Sequence, residues 1–309
     1  MVPNLTNDGA AAPVLVTMFN RPAHAARVIE SLAASKPRRV FLAVDGPREG
    51  HQEDVERVAL CRNLVSRIDW ECEVKTRFRQ ENFGCRRGMI DAVSWFFEEV
   101  GSGIVLEDDC LPHPAAVSFF SDGLKRYERE DRVFQVSGFA HLERFWSRAY
   151  FLPLSSSWGW ATWRDRWREF LDEHEASAER ILGDAGLQSA FDLGGSFPYA
   201  KMLRRSVLGE VSSWAVFFQA QLHIRDGLVL YPPKRLISNI GFDNSGTHCS
   251  SRAVAETGEF SVGPVRWRMP RRIEESHRLF AKVKSRIKPK RNSAEMARRR
   301  PGKPKAANQ

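Results

Sequence analysis

Short apolar runs alternate with longer segments in which apolar residues recur every three or four positions. The runs at residues 14–19, 40–44, 73–78 and 103–106 are rich in the residues that favour strands. The segments between them have the period of helices that bury one face. This alternation predicts an α/β fold in which a mostly parallel sheet is sandwiched by helices.

Two helices are predicted in some detail. Pro22 suits the first turn of a helix. Its predicted apolar face carries Ala26, Ile29 and Leu32 or Ala33. A second helix is predicted over about residues 86–100, with a larger set of buried side chains. These are Met89, Ile90, Val93, Phe96 and Phe97.

Polar residues follow three of the predicted strands. Arg21 comes after the first strand, Asp45 after the second, and residues 107–109 (Glu-Asp-Asp) after the fourth. Ligands of open α/β sheets collect beyond the carboxyl ends of the strands, so we expect these side chains to converge on one crevice. Taken alone, the acidic triplet has a simpler interpretation as a solvated turn after an edge strand.

The triplet carries more negative charge than a turn needs. Side chains of a strand alternate between its faces, so we expect Glu107 and Asp109 to point to one face and Asp108 to the other. Neighbouring carboxylates repel each other unless a cation lies among them. Their hard oxygen atoms favour Mg²⁺ or Mn²⁺ over zinc.

The sequence lacks the glycine-rich motifs of two common nucleotide-binding folds. Neither GxGxxG nor GxxxxGK[ST] occurs, which disfavours a dinucleotide-binding domain and a P-loop NTPase. A diphosphate bridged by a metal ion is then the natural ligand of the crevice.

The composition is that of a globular chain. Its 309 residues are 42% apolar and 28% charged, enough for one large α/β domain. No run approaches the roughly 20 apolar residues of a membrane span, and the first 12 residues do not resemble a signal peptide. We therefore expect a cytoplasmic protein. Its five scattered cysteines indicate buried thiols rather than disulfides or a structural zinc site.

Most of the positive charge lies at the end of the chain. Residues 264–309 hold 16 Lys and Arg against three Glu, a net +13 that leaves −4 on the residues before them. We predict a flexible start at 1–12, one catalytic domain at 13–262, a basic amphipathic helix within 263–287 and a disordered tail at 288–309. The tail either contacts an anionic membrane at its inner face or is an inert extension, and nucleic acid is not an expected partner.

Six motifs lie along the chain in a family's order. They are residues 17–22 (TMFNRP), 45–47 (DGP), 82–85 (NFGC), 106–112 (LEDDCLP), 158–163 (WGWATW) and 239–248 (NIGFDNSGTH). Together they resemble the GT-A nucleotide-sugar glycosyltransferases, and within these the bacterial relatives of N-acetylglucosaminyltransferase I. The resemblance covers about residues 13–250.

The resemblance implies an inverting transfer of a sugar from a nucleoside-diphosphate sugar, a UDP-sugar above all, to a saccharide or other hydroxyl acceptor, dependent on Mn²⁺ or Mg²⁺. Surface polysaccharide or glycoconjugate synthesis is the implied setting. Asp109 would bind the metal, and the other implied donor-binding residues fall into three groups. Glu107 and Asp108 would hold the ribose or donor sugar, Asp45 the nucleobase edge, and Arg21 and Asn82 the nucleotide.

Four tryptophans lie between residues 158 and 167. Trp160, Trp163 and Trp167 are spaced i, i+3 and i+7, which predicts one helical face packed in the core. Trp158 and Gly159 resemble the family's loop over the donor sugar, where an aromatic ring can stack on the sugar. We expect Trp158 to face the site.

The catalytic base is the weak point of the resemblance. Relatives carry an aspartate in the segment that matches residues 212–215, and this chain has none there. Glu210 is the nearest acid and Asp243 a second candidate, while His248 resembles a ligand of metal or diphosphate. Two alternatives follow from this departure, an inactive sugar-nucleotide-binding scaffold and a nucleotidyltransferase.

Overall fold

The computed structural model describes residues 11–142, 147–243, 260 and 265–288. Eight of its strands form one sheet, and they are β1 (Val14–Met18), β2 (Arg39–Val44), β3 (Glu73–Phe78), β4 (Ser102–Glu107), β6 (Val133–Ser137), β7 (Tyr150–Leu152), β8 (Trp160–Trp163) and β9 (Leu228–Tyr231). Their order across the sheet is β3-β2-β1-β4-β8-β6-β9-β7. A separate antiparallel pair joins β5 (Cys110–Pro112) to β10 (Ile237–Asn239). β3, β2, β1 and β4 are mutually parallel, while β8 and β7 run antiparallel to their neighbours.

Helices cover both faces of the sheet. They are α1 (Pro22–Leu32), α2 (Gln52–Asn63), α3 (Gly84–Glu99), α4 (Ala116–Arg126), α5 (Arg164–Gly183), α6 (Ala185–Phe191), α7 (Tyr199–Val207), α8 (Ala215–Ile224) and α9 (His277–Ile287), with a short 3₁₀ turn at Leu64–Arg67. The α/β class and the helix-covered sheet predicted from the apolar pattern are therefore confirmed.

Alternating side chains divide the core into two layers. On β1, Val14, Val16 and Met18 pack with α1, α2 and α4, whereas Leu15 packs with α3, α5 and α8. Every strand residue of β1 is buried or nearly so because helices lie on both faces. Both core layers thus depend on the period of two along each strand.

The chain reverses its direction across the sheet beside β1. It runs from β1 through β2 to β3 on one side, then returns to form β4 on the other side of β1. In open α/β sheets such a reversal of the strand order is where ligands bind, beyond the carboxyl ends of the strands, here those of β1 and β4. Arg21 and the acidic triplet lie at this point.

The last described segment is part of the same body. Helix α9 packs against β7, and its Leu279, Phe280 and Val283 are buried. Helix α9 begins at His277 and lies within residues 263–287, the segment for which a basic amphipathic helix was predicted. The tail from residue 289, the first ten residues and His248 lie outside the described residues.

Most predicted elements lie where the pattern placed them. The four predicted strands correspond to β1–β4, with ends that differ by no more than one residue. Helix α3 begins at Gly84 and buries Ala92, whereas Ile90 is only half-buried. In α1 the fully buried positions are Ala25, Val28, Ile29 and Leu32, with Ala26 at the edge of the core.

Candidate functional site

Arg21 holds two carboxylates of the acidic triplet. One guanidinium nitrogen, Nη2, donates to Asp108 Oδ1 and lies 3.0 Å from Asp109 Oδ2. Strand β4 ends at Glu107, so Asp108 and Asp109 belong to the turn that leads into β5. The expectation that Asp108 and Asp109 point to opposite faces is therefore wrong, because side-chain alternation ends with the strand.

The three carboxylates outnumber the positive charge that compensates them. Burial first, then the charges of Asp109 and Asp108, raise the pKa of Glu107 above its usual range. Burial also raises the pKa of Asp108 to about 6, against the opposing effect of Arg21. Asp108 is 4% exposed. A cation in this crevice would therefore be electrostatically stabilised.

The residues around Arg21 have partners of their own. The backbone N–H of Phe19 donates to Asp108 Oδ2 at 3.4 Å. The Asn20 amide donates to Asp54 Oδ1 at 2.7 Å, and Arg48 Nε donates to Asp54 Oδ2 at 2.6 Å. The motif at residues 17–22 is thus tied both to the triplet and to α2.

Asp45 accepts hydrogen bonds at the start of α3. The backbone N–H of Phe83 donates to its Oδ1 at 2.9 Å, and the N–H of Gly84 donates to its Oδ2 at 3.1 Å. Asn82 Nδ2 donates to the Gly46 carbonyl at 2.8 Å. These contacts give Asp45 and Asn82 structural roles, and their contact with a nucleotide stays a prediction.

The ends of β2 and β4 lie on either side of the end of β1. The Asp45 N–H donates to the Met18 carbonyl at 3.0 Å, and Glu107 is the register partner of Thr17. Arg21, Asp45 and the triplet are thus gathered at one edge of the sheet, as their positions after the strands predicted.

Gly241 closes the crevice beside Asp109. The Ile240 N–H donates to the Asp109 carbonyl at 2.8 Å, which fixes the chain after β10 against the turn after β4. A Cβ atom on Gly241 would lie 2.4 Å from Asp109 Oδ2 and 2.9 Å from Arg21 Nη1. Only glycine allows this approach.

The loop before β8 is held by buried glutamines. The Ser155 N–H donates to Gln219 Oε1 at 2.6 Å, and the Ser156 N–H donates to Gln135 Oε1 at 3.0 Å. Gly159 has φ +59, and a Cβ there would lie 2.6 Å from Ile237 Cγ1. The loop is therefore packed onto β10, next to the triplet.

Trp158 is half-buried at the end of that loop. Its ring makes edge contacts with Phe139, at 4.9 Å between centroids, and with Phe242, at 5.4 Å. Phe242 directly follows Gly241, so Trp158 and Gly241 lie on the same side of the crevice as Asp109 and form a wall there. Stacking of Trp158 on a donor sugar stays a prediction.

The other three tryptophans do not share a helical face. Trp160 and Trp163 lie on β8, and Trp167 lies on α5, which begins at Arg164. The spacing i, i+3, i+7 mimicked a helix because a strand end and a helix start are adjacent here. All three rings are nonetheless buried, as expected for core residues.

The two candidate bases are each paired with a basic side chain. Asp243 Oδ2 is 3.1 Å from His24 Nε2 on α1. Glu210 Oε2 accepts a hydrogen bond from Arg205 Nε at 3.0 Å, and both side chains are about half exposed. Ser212 Oγ accepts from the Arg86 N–H at 3.0 Å, which places the segment without a carboxylate at the start of α3.

Sequence reasoning missed several of these positions. The burial of Asp54 could have been predicted from the helical spacing, because Asp54, Val58 and Cys61 share the buried face of α2 at i, i+4 and i+7. No sequence pattern singles out Gln135 or Gln219, since each lies in an element buried on all sides. The pairing of His24 with Asp243 joins residues that are far apart in sequence.

The carboxylates suit a hard divalent cation by their chemistry. Asp109 and Glu107 offer oxygen ligands in a crevice with surplus negative charge. No three Asp, Glu, His or Cys side chains in the described ranges are grouped closely enough to hold a metal ion unaided. Mg²⁺ usually keeps waters and takes further ligands from substrate phosphates, so two carboxylates are enough to fit it.

Comparison with known proteins gives weak likenesses of structure only. No family model and no curated protein matches the sequence. Solved structures that match include the mannosyltransferase PcManGT from Pyrobaculum calidifontis in complex with GDP-Man and Mn²⁺, at 12% identity and TM-score 0.35, covering 69% of this chain and 74% of that one. The inositol-1-phosphate CTP transferase from T. maritima matches at 12% identity and TM-score 0.34, covering 72% of this chain and 86% of that one. The galactosyltransferase LgtC in complex with donor and acceptor sugar analogues matches at 11% identity and TM-score 0.36, covering 92% of this chain and 99% of that one.

At such low TM-scores and identities, the function of this chain has to be inferred from its own residues.

Among the helices of the described residues, none is long and apolar enough to cross a bilayer.

Proposed function

We propose that the chain is a GT-A glycosyltransferase that moves a sugar from a nucleoside-diphosphate sugar, a UDP-sugar above all, to a hydroxyl of a saccharide or glycoconjugate. The observation that carries this proposal is the convergence of Arg21, Asp45 and the acidic triplet at the point where the strand order reverses. That crevice combines surplus negative charge with the family's motifs at residues 17–22 and 106–112.

Each residue has a role in this proposal. Asp109 would hold Mn²⁺ or Mg²⁺, which when bound neutralises charge on the diphosphate, and Glu107 would be a second ligand instead of having the sugar-binding role that the resemblance implies. Asp108 is fixed by Arg21 and the Phe19 N–H, so it is preorganised to accept from a ribose or sugar hydroxyl. The wall formed by Gly241 and Trp158 would exclude water from the donor.

The transfer itself needs a proton acceptor. The acceptor hydroxyl oxygen attacks the anomeric carbon, the bond to the diphosphate oxygen breaks, and the hydroxyl proton passes to a carboxylate. Glu210 and Asp243 are the proposed bases, and each would have to exchange its present partner, Arg205 or His24, for the hydroxyl. The proposed stereochemical course is inversion, in surface polysaccharide or glycoconjugate synthesis.

A second candidate function is a sugar-nucleotide-binding scaffold without turnover. It is favoured by the same contacts, since Asp108 and Asp109 are both bonded to Arg21 and Glu210 is bonded to Arg205. Residues 212–215 also supply no carboxylate.

Calorimetric titration with UDP and GDP nucleotides, with and without Mn²⁺, tests donor binding. We expect binding that depends on Mn²⁺ and weakens at least about tenfold in Asp109→Asn, because the ligand loses its charge. The matched control Asp172→Asn changes an exposed carboxylate on α5 and should bind as the native chain does. Absence of Mn²⁺-dependent binding for every nucleotide would overturn the proposal.

Turnover then separates the candidates. Release of free nucleoside diphosphate together with sugar in the product supports the transferase, and proton NMR of the new linkage gives its anomeric configuration. Binding without release supports the scaffold. Pyrophosphate released from a nucleoside triphosphate would instead indicate a nucleotidyltransferase.

A further inference from the structure

Residues 265–288, here termed the C-terminal strap, concentrate positive charge on one described part of the molecule. The strap holds nine Lys and Arg against two Glu. The 263 residues at the start of the chain carry a net charge of −4, so the protein is electrically asymmetric.

The strap is anchored to the folded body. The Ala149 N–H donates to the Arg268 carbonyl at 3.1 Å, and the Ser276 N–H donates to the Phe151 carbonyl at 3.0 Å. The Tyr127 hydroxyl donates to the Pro270 carbonyl at 2.7 Å. These contacts hold the strap along the β7 edge of the sheet, so its charges form a fixed surface.

The apolar side of helix α9 is already used by the protein. Leu279, Phe280 and Val283 are buried in a cluster that includes Tyr150 and Leu152 of β7. An amphipathic helix inserts into lipid only through an apolar face that is free. In this arrangement α9 has no such face to offer a bilayer.

The outer side of α9 is cationic. Arg278, Lys282 and Arg286 are exposed and spaced i, i+4 and i+8, so they form one row along the helix. Arg286 also donates from Nη1 to the His141 carbonyl at 3.0 Å, which ties this end of the row to the folded body. Helix α9 contains no acid, and no carboxylate in the described part of the chain lies within ion-pair distance of these three side chains. Like charges at this spacing destabilise a helix unless an anionic partner compensates them.

The extended part of the strap enlarges this surface. Arg266, Arg268, Arg271 and Arg272 are exposed in the part of the strap that precedes α9, and Arg272 meets Glu274 only at 3.9 Å. The strap's aromatic rings are turned inward, with Trp267 Nε1 bonded to Asp122 and Phe280 in the core. Stacking on nucleic-acid bases is therefore not available, which leaves a surface suited to a plane of negative charge.

We propose that the C-terminal strap docks the protein onto an anionic lipid bilayer by charge alone, without insertion. The row Arg278, Lys282 and Arg286 is the centre of this surface. This site is separate from the crevice and does not depend on the reaction proposed there.

Co-flotation of the full chain with vesicles tests the surface. We expect binding to vesicles with about one third phosphatidylglycerol in phosphatidylcholine, and none to phosphatidylcholine alone. Because each basic residue near the surface contributes roughly fivefold, the triple variant Arg278→Gln, Lys282→Gln, Arg286→Gln should bind roughly a hundredfold more weakly. Salt at about 0.5 M should release the native chain.

A matched variant separates this surface from overall charge. Arg168→Gln, Arg180→Gln, Lys201→Gln removes the same charge from exposed positions on α5 and α7 and keeps residues 289–309 unchanged. Equal loss of binding in both triple variants, or no loss in the first, would overturn the proposal. So would binding that survives high salt, or tighter binding of the native chain to duplex nucleic acid than to the anionic vesicles. Unchanged melting temperatures of both variants confirm that they are folded.

Discussion

A single guanidinium compensates two carboxylates at the start of the crevice. Arg21 bonds to Asp108 and Asp109, and Asp108 is almost fully removed from solvent. Removing one partner of a buried ion pair leaves a charge without compensation, which costs far more than the loss of an exposed pair. The stability of the chain is therefore coupled to the geometry of its candidate site.

Arg21→Gln should lower the free energy of unfolding by about 3 to 5 kcal/mol at pH 7, because Asp108 loses its countercharge. Urea denaturation measures this effect. Arg132→Gln is the control, since its pair with Asp226 is exposed and should contribute at most about 1 kcal/mol. Adding Asp108→Asn to Arg21→Gln should restore part of the loss. Similar costs for Arg21→Gln and Arg132→Gln would contradict the interpretation.

Helix α3 illustrates how one element depends on the end of another. Its first turn has no side-chain cap of its own, and its N-terminal N–H groups donate to Asp45 at the end of β2. A carboxylate at this position also interacts favourably with the helix dipole. The start of α3 is thereby fixed to the crevice.

Asp45→Ala should destabilise the protein by about 1 to 2 kcal/mol, because the N–H groups of Phe83 and Gly84 lose their acceptor. Thermal or urea unfolding measures it, and hydrogen exchange should accelerate at the first turn of α3. Asp69→Ala alters an exposed carboxylate outside any helix and should stay within about 0.5 kcal/mol. Native-like exchange at α3 would contradict a capping role.

At the scale of the whole molecule, His141 connects the C-terminal strap to the sheet. Arg286 Nη1 donates to the His141 carbonyl at 3.0 Å, and the imidazole packs against Phe139 and Tyr231. Burial, and then the charge of Arg286, lower the pKa of His141 from 6.5 to about 4. The folded protein therefore keeps this ring neutral where the unfolded chain would protonate it.

The contribution of a neutral His141 to the free energy of unfolding is complete above about pH 6.5. It is lost as the pH falls from 6.5 towards 4, because the unfolded chain binds the proton first. The loss should reach up to about 3 kcal/mol. Urea midpoints of the native chain and of His141→Gln, measured between pH 4 and 7, should differ most in their slope below pH 6.5. The control His51→Gln changes an exposed ring. Parallel pH profiles for native and His141→Gln chains would contradict this account.

The strands β1–β4, helix α1 and helix α3 were predictable because their apolar residues follow periods that local geometry imposes. The convergence of Arg21, Asp45 and the triplet was predictable because parallel strands end at one edge. The tryptophan segment was not, since adjacent strand and helix positions reproduced a helical spacing by chance.

The sequence by itself determined the α/β class, the position of the acidic crevice and the cationic end of the chain, since periodicity and charge are local properties. Only the tertiary structure decided that Arg21 bonds to both aspartates, that Gly241 packs against Asp109, and that α9 turns its apolar face inward. These contacts join residues up to more than one hundred positions apart. They follow from how the chain closes on itself, which no local pattern contains.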